Sequence, residues 1–535
     1  MTQDSMPPTE DDYIRAEHLV EAGRPFSQSY IWQMQRRYYE TQGIEAWSQN
    51  RIPFAISTGP VIAHAYAQMV YALIQDMQGQ LNADEPLYII EVGAGSGRLG
   101  FHFIKEFFPY LERSPYRDVR VKYILTDMPE KNIAFWRTQP QLRAFVEQGK
   151  LDFARFDALS DDTIHLLESD ITLLAGTLKN PLVLLANYLL DSLPQDMFSL
   201  ESQNLFEVSA SLYSTQPEPD LYDPEIITRI EIEYDRRPVS SDYYDDPSLN
   251  AVLEHYRQTM PNSTFIFPRA SMELLHTFQR LSGGRMLLLS ADKGDHRQEE
   301  LIHEIMPPIV LHDNGFSMQF NYHALGLYME QAGGQVFTTS FRHASLNVLA
   351  FAQGLSQTQH LTLAYDEYVE YNNPDDNFAA MMEIDKRPDV GMHELLAYMR
   401  LKRYDSYAFL LIFNAMRKKF NDIPLTLIPT LKLTVEHIWD NYYHIGERFN
   451  VPFYLGAILS AIRDYGDSAM YYEYSIERYG REPHALYNLC AAYTNLGRLD
   501  EALALIDEVE ERAPQIKETV KQRELILAAM KKRST

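Results

Sequence analysis

Between Leu87 and Gly100 a mostly apolar run, Leu87-Tyr88-Ile89-Ile90-Glu91-Val92, passes directly into Gly93-Ala94-Gly95-Ser96-Gly97 and then Arg98-Leu99-Gly100. A short apolar run of this kind reads as a strand buried on both faces, which in turn requires a layered α/β domain. Glycine at every second position marks a turn whose backbone bends sharply or lies close to a ligand. The spacing also excludes one ligand class. A dinucleotide fingerprint needs its third glycine at position 98, where it would bring a helix N-terminus against a pyrophosphate, and Arg98 stands there instead.

The loop therefore suits a cofactor without phosphates, and its spacing is that of the loop that binds S-adenosyl-L-methionine (SAM) in methyltransferases. Gly93, Ala94, Gly95 and Gly97 are expected to line the cofactor. The helix starting near Ser96 turns its positive end to the methionyl carboxylate, and Glu91 supplies negative charge near the ammonium. The pattern continues with strands at 87–92, 121–126, 151–156, 181–186 and 284–290, and with helices near 97–108, 130–147, 161–175 and 269–281. Two more strand-like runs, 335–341 and 346–351, follow a helix near 322–332. The expected fold is thus a class I, Rossmann-like SAM-dependent methyltransferase sheet. Asp127, with Met128, ends the second strand, where an acid can accept both ribose hydroxyls. Asp157, with Ala158, ends the third, where an acid can accept from the adenine amino group; both acids could equally cap local turns. The fourth strand runs into Asn187-Tyr188-Leu189-Leu190-Asp191-Ser192-Leu193-Pro194, at the carboxyl end where substrates of open α/β sheets sit.

The chain has 535 residues, which implies several domains. Residues 1–80 read as a helical preface, 81–360 as the methyltransferase domain with an insertion at about 200–262, 361–385 as a linker, and 386–535 as helical. Gly497 with Leu486, Leu489, Tyr493, Ala502, Ile506 and Pro514 fits one tetratricopeptide-like (TPR-like) repeat. Leu455, Ile458, Ile462, Gly466, Ala469 and Pro483 echo it upstream. A formal charge of −26 opposes polyphosphate binding, so a protein partner held by the C-terminal helices is expected, with no nucleic acid and no membrane. The single cysteine, Cys490, and an acidic start without a basic leader point to the cytoplasm. The histidines show no ligand spacing, so no metal is expected.

The run Leu184–Phe198 resembles the Asn-Glu-x-x-Asp-Ala-Leu-Pro signature of the MidA-like methyltransferases, the family that includes the mitochondrial complex I assembly factor with protein-arginine methyltransferase activity. Ile52–Pro60 is similar to that family's pre-motif segment, and Phe316–Leu325 to a stretch near its end. The resemblance spans about 25–355. It implies a protein side chain as methyl acceptor, arginine first, with Asp191 holding the guanidinium and Asn187 placed beside the methyl group. Tyr188 stands where the family has a glutamate, and Gly59-Pro60 where it has Pro-Glu, so a guanidinium would meet fewer carboxylates here. A methyltransferase-like scaffold and a small-molecule methyltransferase remain the alternatives.

Overall fold

The computed structural model describes residues 17–49, 55–303, 306–312, 314–341, 343, 345–384, 387 and 389–534. It forms two compact units, Met1–Asp376 and Asn377–Thr535. In the first, seven strands make one sheet: β1 (Leu87–Val92), β2 (Val121–Asp127), β3 (Leu151–Arg155), β4 (Leu182–Asn187), β5 (Met286–Asp292), β6 (Gln335–Phe337) and β7 (Asn347–Gln353). Their spatial order is β6-β7-β5-β4-β1-β2-β3. Strands β3, β2, β1, β4 and β5 pair in parallel, and β7 runs antiparallel to both of its neighbours. Every residue of β1 and β5 is buried, as apolar strands between two helical layers must be. The strand order reverses direction at β1 and β4. Their carboxyl ends therefore open a crevice, the place where open α/β sheets bind ligands.

Three helices frame that crevice: α1 (Ile31–Gln42), α2 (Pro60–Asp76) and α3 (Arg98–Glu112). Proline at the first position of α2 suits its start, where the missing N–H would have no helical partner anyway.

Several expected elements differ. The preface expected over 1–80 is not wholly helical, because His18–Pro25 is a strand paired with Asn204–Ser214. The helix expected at 130–147 is two, Glu130–Thr138 and Pro140–Glu147, broken where Gln139 is held extended before proline. The helix expected at 161–175 is a hairpin of Ile164–Leu166 and Ile171–Leu173. Ile164 and Leu166 are buried while His165 between them is exposed, a two-residue period that overrides the local helix reading. The supposed insertion builds a second antiparallel sheet from 18–25, 196–201, 204–214, 230–239 and 263–267. Its strand Ile230–Val239 follows a 3-10 turn at Ile226–Arg229. The stretch expected as a linker is largely helical, with α-helices at Gln359–Tyr365 and Pro374–Ile384.

The second unit is a succession of helices with its own core. Asp405 and Asn450 cap the starts of Ser406–Arg417 and Val451–Ala461 by accepting backbone N–H groups. Gly497 closes Pro483–Leu496 in the left-handed conformation, φ 76°, that glycine adopts at least cost. Leu486, Leu489, Tyr493, Ala502 and Ile506 are buried together in one cluster. No helix among the described residues is long and apolar enough to cross a membrane.

Candidate functional site

The turn after β1 is shaped by three left-handed glycines, Gly93 (φ 67°), Gly95 (54°) and Gly97 (76°). The Ala94 N–H donates to Thr126 O at 3.0 Å, the Gly95 N–H to Asp127 Oδ2 at 2.8 Å, and Trp136 Nε1 to Gly95 O at 3.0 Å. The loop is thus anchored to β2 before any ligand arrives. Gly100 lets α3 lie directly on the sheet, because a Cβ there would stand 2.7 Å from Leu125 and 3.0 Å from Glu91 Oε2.

Glu91 is 4% exposed and accepts from the Tyr123 hydroxyl at 2.7 Å. Burial pushes its carboxyl up to about 8, opposed by hydrogen bonds from Tyr123 and the Gly100 N–H. A folded-state value above the unfolded one means that the folded protein holds this proton more tightly. Its contribution to stability is therefore complete below the unfolded value and disappears as pH rises through about 8. Urea midpoints of the ligand-free protein should fall between roughly pH 5 and pH 9, and Glu91→Gln should flatten part of that slope. Equal slopes in the two proteins would show that Glu91 is not held protonated.

Two cavities adjoin the loop and share Tyr39, Trp47, Gly93, Tyr188 and Ser192. The larger, about 260 Å³, reaches Glu91, Asn187 and Asp191, with Lys293 and His312 also on its wall. The smaller, about 120 Å³, lies between Asp127, Met128, Phe156, Asp157, Ala158 and Leu189. Gly93, Ala94 and Gly95 line the larger cavity. All the residues expected to hold the cofactor thus fall around one crevice, except Gly97, which caps α3 beneath it.

The finer contacts differ from the expectation. Both Asp127 oxygens are engaged, Oδ2 by the Gly95 N–H and Asn132 Nδ2 (3.0 Å) and Oδ1 by the Met128 N–H (2.8 Å). Asp157 is clamped by Arg36 of α1, at 3.0 Å to Oδ1 and 2.5 Å to Oδ2. Burial works to raise the Asp157 carboxyl, but the Arg36 guanidinium and the Leu159 N–H hold it below the usual range. Asn187 is tied at both ends: its carbonyl accepts from Tyr66 OH at 2.7 Å, and its amide donates to Ser57 O at 2.8 Å. This braces α2 and the adjoining turn against β4, which suits positioning better than contact with a methyl group. Tyr188 adopts φ 48°, an unfavourable backbone for a bulky residue, at the rim of both cavities. Tyr243 and Tyr244 pack on Phe198. Of the pre-motif segment, residues 52–54 lie outside the described residues, while Ser57 and Thr58 line the larger cavity.

Sequence reasoning missed four groups at the crevice. Arg36, Tyr39 and Trp47 come from the preface, whose amphipathic pattern says only that it packs on something. Trp47 covers the loop so closely that a Cβ on Gly95 would stand 2.6 Å from its ring. The fourth is Asp292, the last residue of β5, fully buried, whose Oδ2 accepts the Asp191 N–H at 3.2 Å. The rule that ligands gather at strand carboxyl ends could have found it, had the strand been read to 292 instead of 290.

Residues 65–306 match the model of a family described as "Putative S-adenosyl-L-methionine-dependent methyltransferase". This stretch is a SAM-dependent methyltransferase. It includes the glycine loop of the methyltransferase and every acid that lines or backs the two cavities. Two solved structures from Burkholderia thailandensis, of one superfamily, are similar to the chain. One is an uncharacterized protein (13% identity over 63% of this chain and 90% of that one, TM-score 0.39). The other is described as a "likely methyl transferase" bound to S-adenosyl-homocysteine (14% identity over 63% and 90%, TM-score 0.41). At that level of likeness neither neighbour informs the chemistry of this methyltransferase. No curated protein matches the sequence.

The cavity walls fit SAM. Glu91 is a buried acid facing the larger cavity without an ion-pair partner among the described residues, a place that favours an ammonium. The N-terminus of α3 favours a carboxylate, and the apolar slot between Phe156 and Leu189 favours a flat base. When bound, SAM supplies an electrophilic methyl group; the protein's work is alignment and exclusion of water.

Proposed function

We propose that this methyltransferase modifies a protein side chain, a guanidinium being the first candidate, and that its C-terminal helices, read as TPR-like repeats, hold the protein that carries it. The central sheet is read as class I and Rossmann-like, with the adenosyl group in the smaller cavity and the methionyl group along the glycine loop. In this reading Glu91 meets the ammonium, Asp127 and Met128 border the ribose, and Ala158 borders the base, beside the Asp157–Arg36 pair. The acceptor enters the larger cavity beside Asn187 and Asp191.

One observation carries the choice of acceptor. The larger cavity offers a buried acid, Asp191, among tyrosines, rather than a wholly apolar wall. Such a surface favours a polar or cationic side chain with a proton to lose. Incubating the protein with methyl-labelled SAM in a lysate of cells lacking it, then separating proteins from small molecules, tests this. Label should enter protein and survive as methylarginine on hydrolysis. Label confined to small molecules contradicts the proposal.

The repeats carry a separate expectation. Removing residues 377–535 should leave SAM affinity within about threefold but slow labelling of the lysate protein tenfold or more, because tethering raises the local acceptor concentration. An unchanged labelling rate would remove the docking role. A second reading, a scaffold that binds SAM weakly, is favoured by the packing of Trp47 on Gly95 and of Leu189 on Gly93. Both side chains must shift or share the space for a cofactor to touch the loop.

A further inference from the structure

Two acids at the inner wall of the larger cavity take no part in holding the cofactor. Asp191 sits in a 3-10 turn after β4 and is 4% exposed; Asp292 ends the neighbouring parallel strand β5 and is 0% exposed. Asn187 and Ala291 are register partners, so the two acids leave adjacent strand tips together. The backbone N–H of Asp191 reaches the carboxyl of Asp292, which brings the two acids side by side, and each acts on the titration of the other. Asp292 Oδ1 also accepts the Lys293 N–H at 2.8 Å and Oδ2 the Asp191 N–H at 3.2 Å, while Ser192 Oγ donates to Asp191 Oδ1 at 3.1 Å.

We propose that Asp191 and Asp292, side by side on adjacent strand tips at the inner wall of the larger cavity, are the proton-accepting unit for the methyl acceptor, Asp191 touching it and Asp292 positioning and charging Asp191. This rests on the reading of that cavity as the acceptor site. Two buried carboxylates so close resist ionising together, so the pair holds one proton and carries one negative charge. Burial raises both acids, and the charge of Asp191 raises Asp292 further.

The surrounding groups leave the pair its task. Tyr39 of α1, Tyr66 of α2, Tyr188 and Tyr322 face it; burial pushes each phenol up, these acids add to the rise at Tyr39, Tyr188 and Tyr322, and Tyr365 and Glu91 act on Tyr66 before Asp292 does. Three of the phenols are committed: Tyr66 donates to Asn187, Tyr322 is bonded to Ser290 and Tyr39 to Ser192. Among the described residues neither carboxyl is ion-paired. Lys293 and His312 also line the cavity; burial and then Lys293 lower His312. An acid is required at 292, not an amide. Both of its oxygens accept backbone N–H groups, and only a carboxyl can do that while also giving a proton to Asp191.

The acceptor heteroatom bonds to the methyl carbon, and the methyl–sulfur bond breaks with its electron pair going to sulfur. The proton of the acceptor passes to Asp191. The pair, now doubly protonated and neutral, returns that proton to water when product leaves.

Two measurements test this. In infrared difference spectra of wild type against Asp191→Asn/Asp292→Asn at neutral pH, one protonated carboxyl and one carboxylate should be lost together. Loss of carboxylate bands alone would overturn the shared proton. In the methyl-labelling lysate assay, Asp191→Asn should lower the initial rate about 100-fold. Asp292→Asn faces Asp191 either with an N–H that meets the Asp191 N–H or with an oxygen that repels its carboxylate. Asp191 then ionises less readily, and the acidic limb of the rate profile should move up by roughly one pH unit. Calorimetric SAM affinity, which a merely misfolded variant would lose, should stay within about threefold in both single variants. A profile for Asp292→Asn that coincides with wild type overturns the proposal and leaves the acceptor site standing. If wild type labels nothing in the lysate, the acceptor reading fails, and the infrared comparison still decides whether the proton is shared.

Discussion

Arginine in place of Gly95 should reduce SAM affinity more than a thousandfold, leaving no binding detectable by calorimetry at roughly millimolar ligand. Three effects act together. Position 95 has φ 54°, where a side chain costs about 1–2 kcal/mol. The first carbon of that side chain would stand 2.6 Å from Trp47 Cζ2 and 2.8 Å from Cε2, so the indole must leave the loop or the loop must unbend. Whatever space remains is filled by a cation, facing a ligand that is itself a sulfonium. Gly95→Ala separates backbone strain from bulk and should lose about tenfold, since only the strain and the Trp47 contact remain. Affinity within threefold of wild type for the arginine variant would mean that the cofactor does not lie on this turn.

Asp127→Ala should weaken SAM binding about 30- to 100-fold and lower the melting temperature. The side chain receives three donors, the N–H groups of Gly95 and Met128 and the amide of Asn132. Removing a buried acceptor leaves such donors short of partners, at about 1–3 kcal/mol each. The Gly95 bond is the one that ties the glycine turn to β2, so its loss should loosen the preformed cradle as well as any contact with a ribose. Burial raises the Asp127 carboxyl, and these donors oppose part of that rise. Asp127→Asn keeps one acceptor oxygen and should recover part of the loss. Titration of both variants, with circular dichroism to check folding, measures the effect. Unchanged affinity in the alanine variant would separate Asp127 from the cofactor site.

Much of this site was legible in the sequence because its physics is local. Buried parallel strands are apolar runs, left-handed turns need glycine, and acids at strand tips stand out against Val, Ile and Leu. The Glu91–Gly97 turn, Asp127, Asp157, Asn187 and Asp191 were found on those grounds. What escaped depends on distant partners. Nothing around Asp157 announces that Arg36, 121 positions earlier, will clamp it. Nor does Glu45–Ser48, a four-residue helix, reveal that Trp47 will cover Gly95. The 161–175 hairpin was misread because Leu166 and Leu167 blur a two-residue period that only burial resolves. Asp292 was passed over since β5 runs two residues beyond its most apolar part.

The most direct measurement is a crystal structure of the protein with S-adenosyl-homocysteine at saturating concentration. The expected density places the homocysteinyl group along Gly93–Gly97 with its ammonium at Glu91, the ribose beside Asp127, and the base between Phe156 and Leu189. Density elsewhere, or an empty crevice with Trp47 still seated on Gly95, would contradict it.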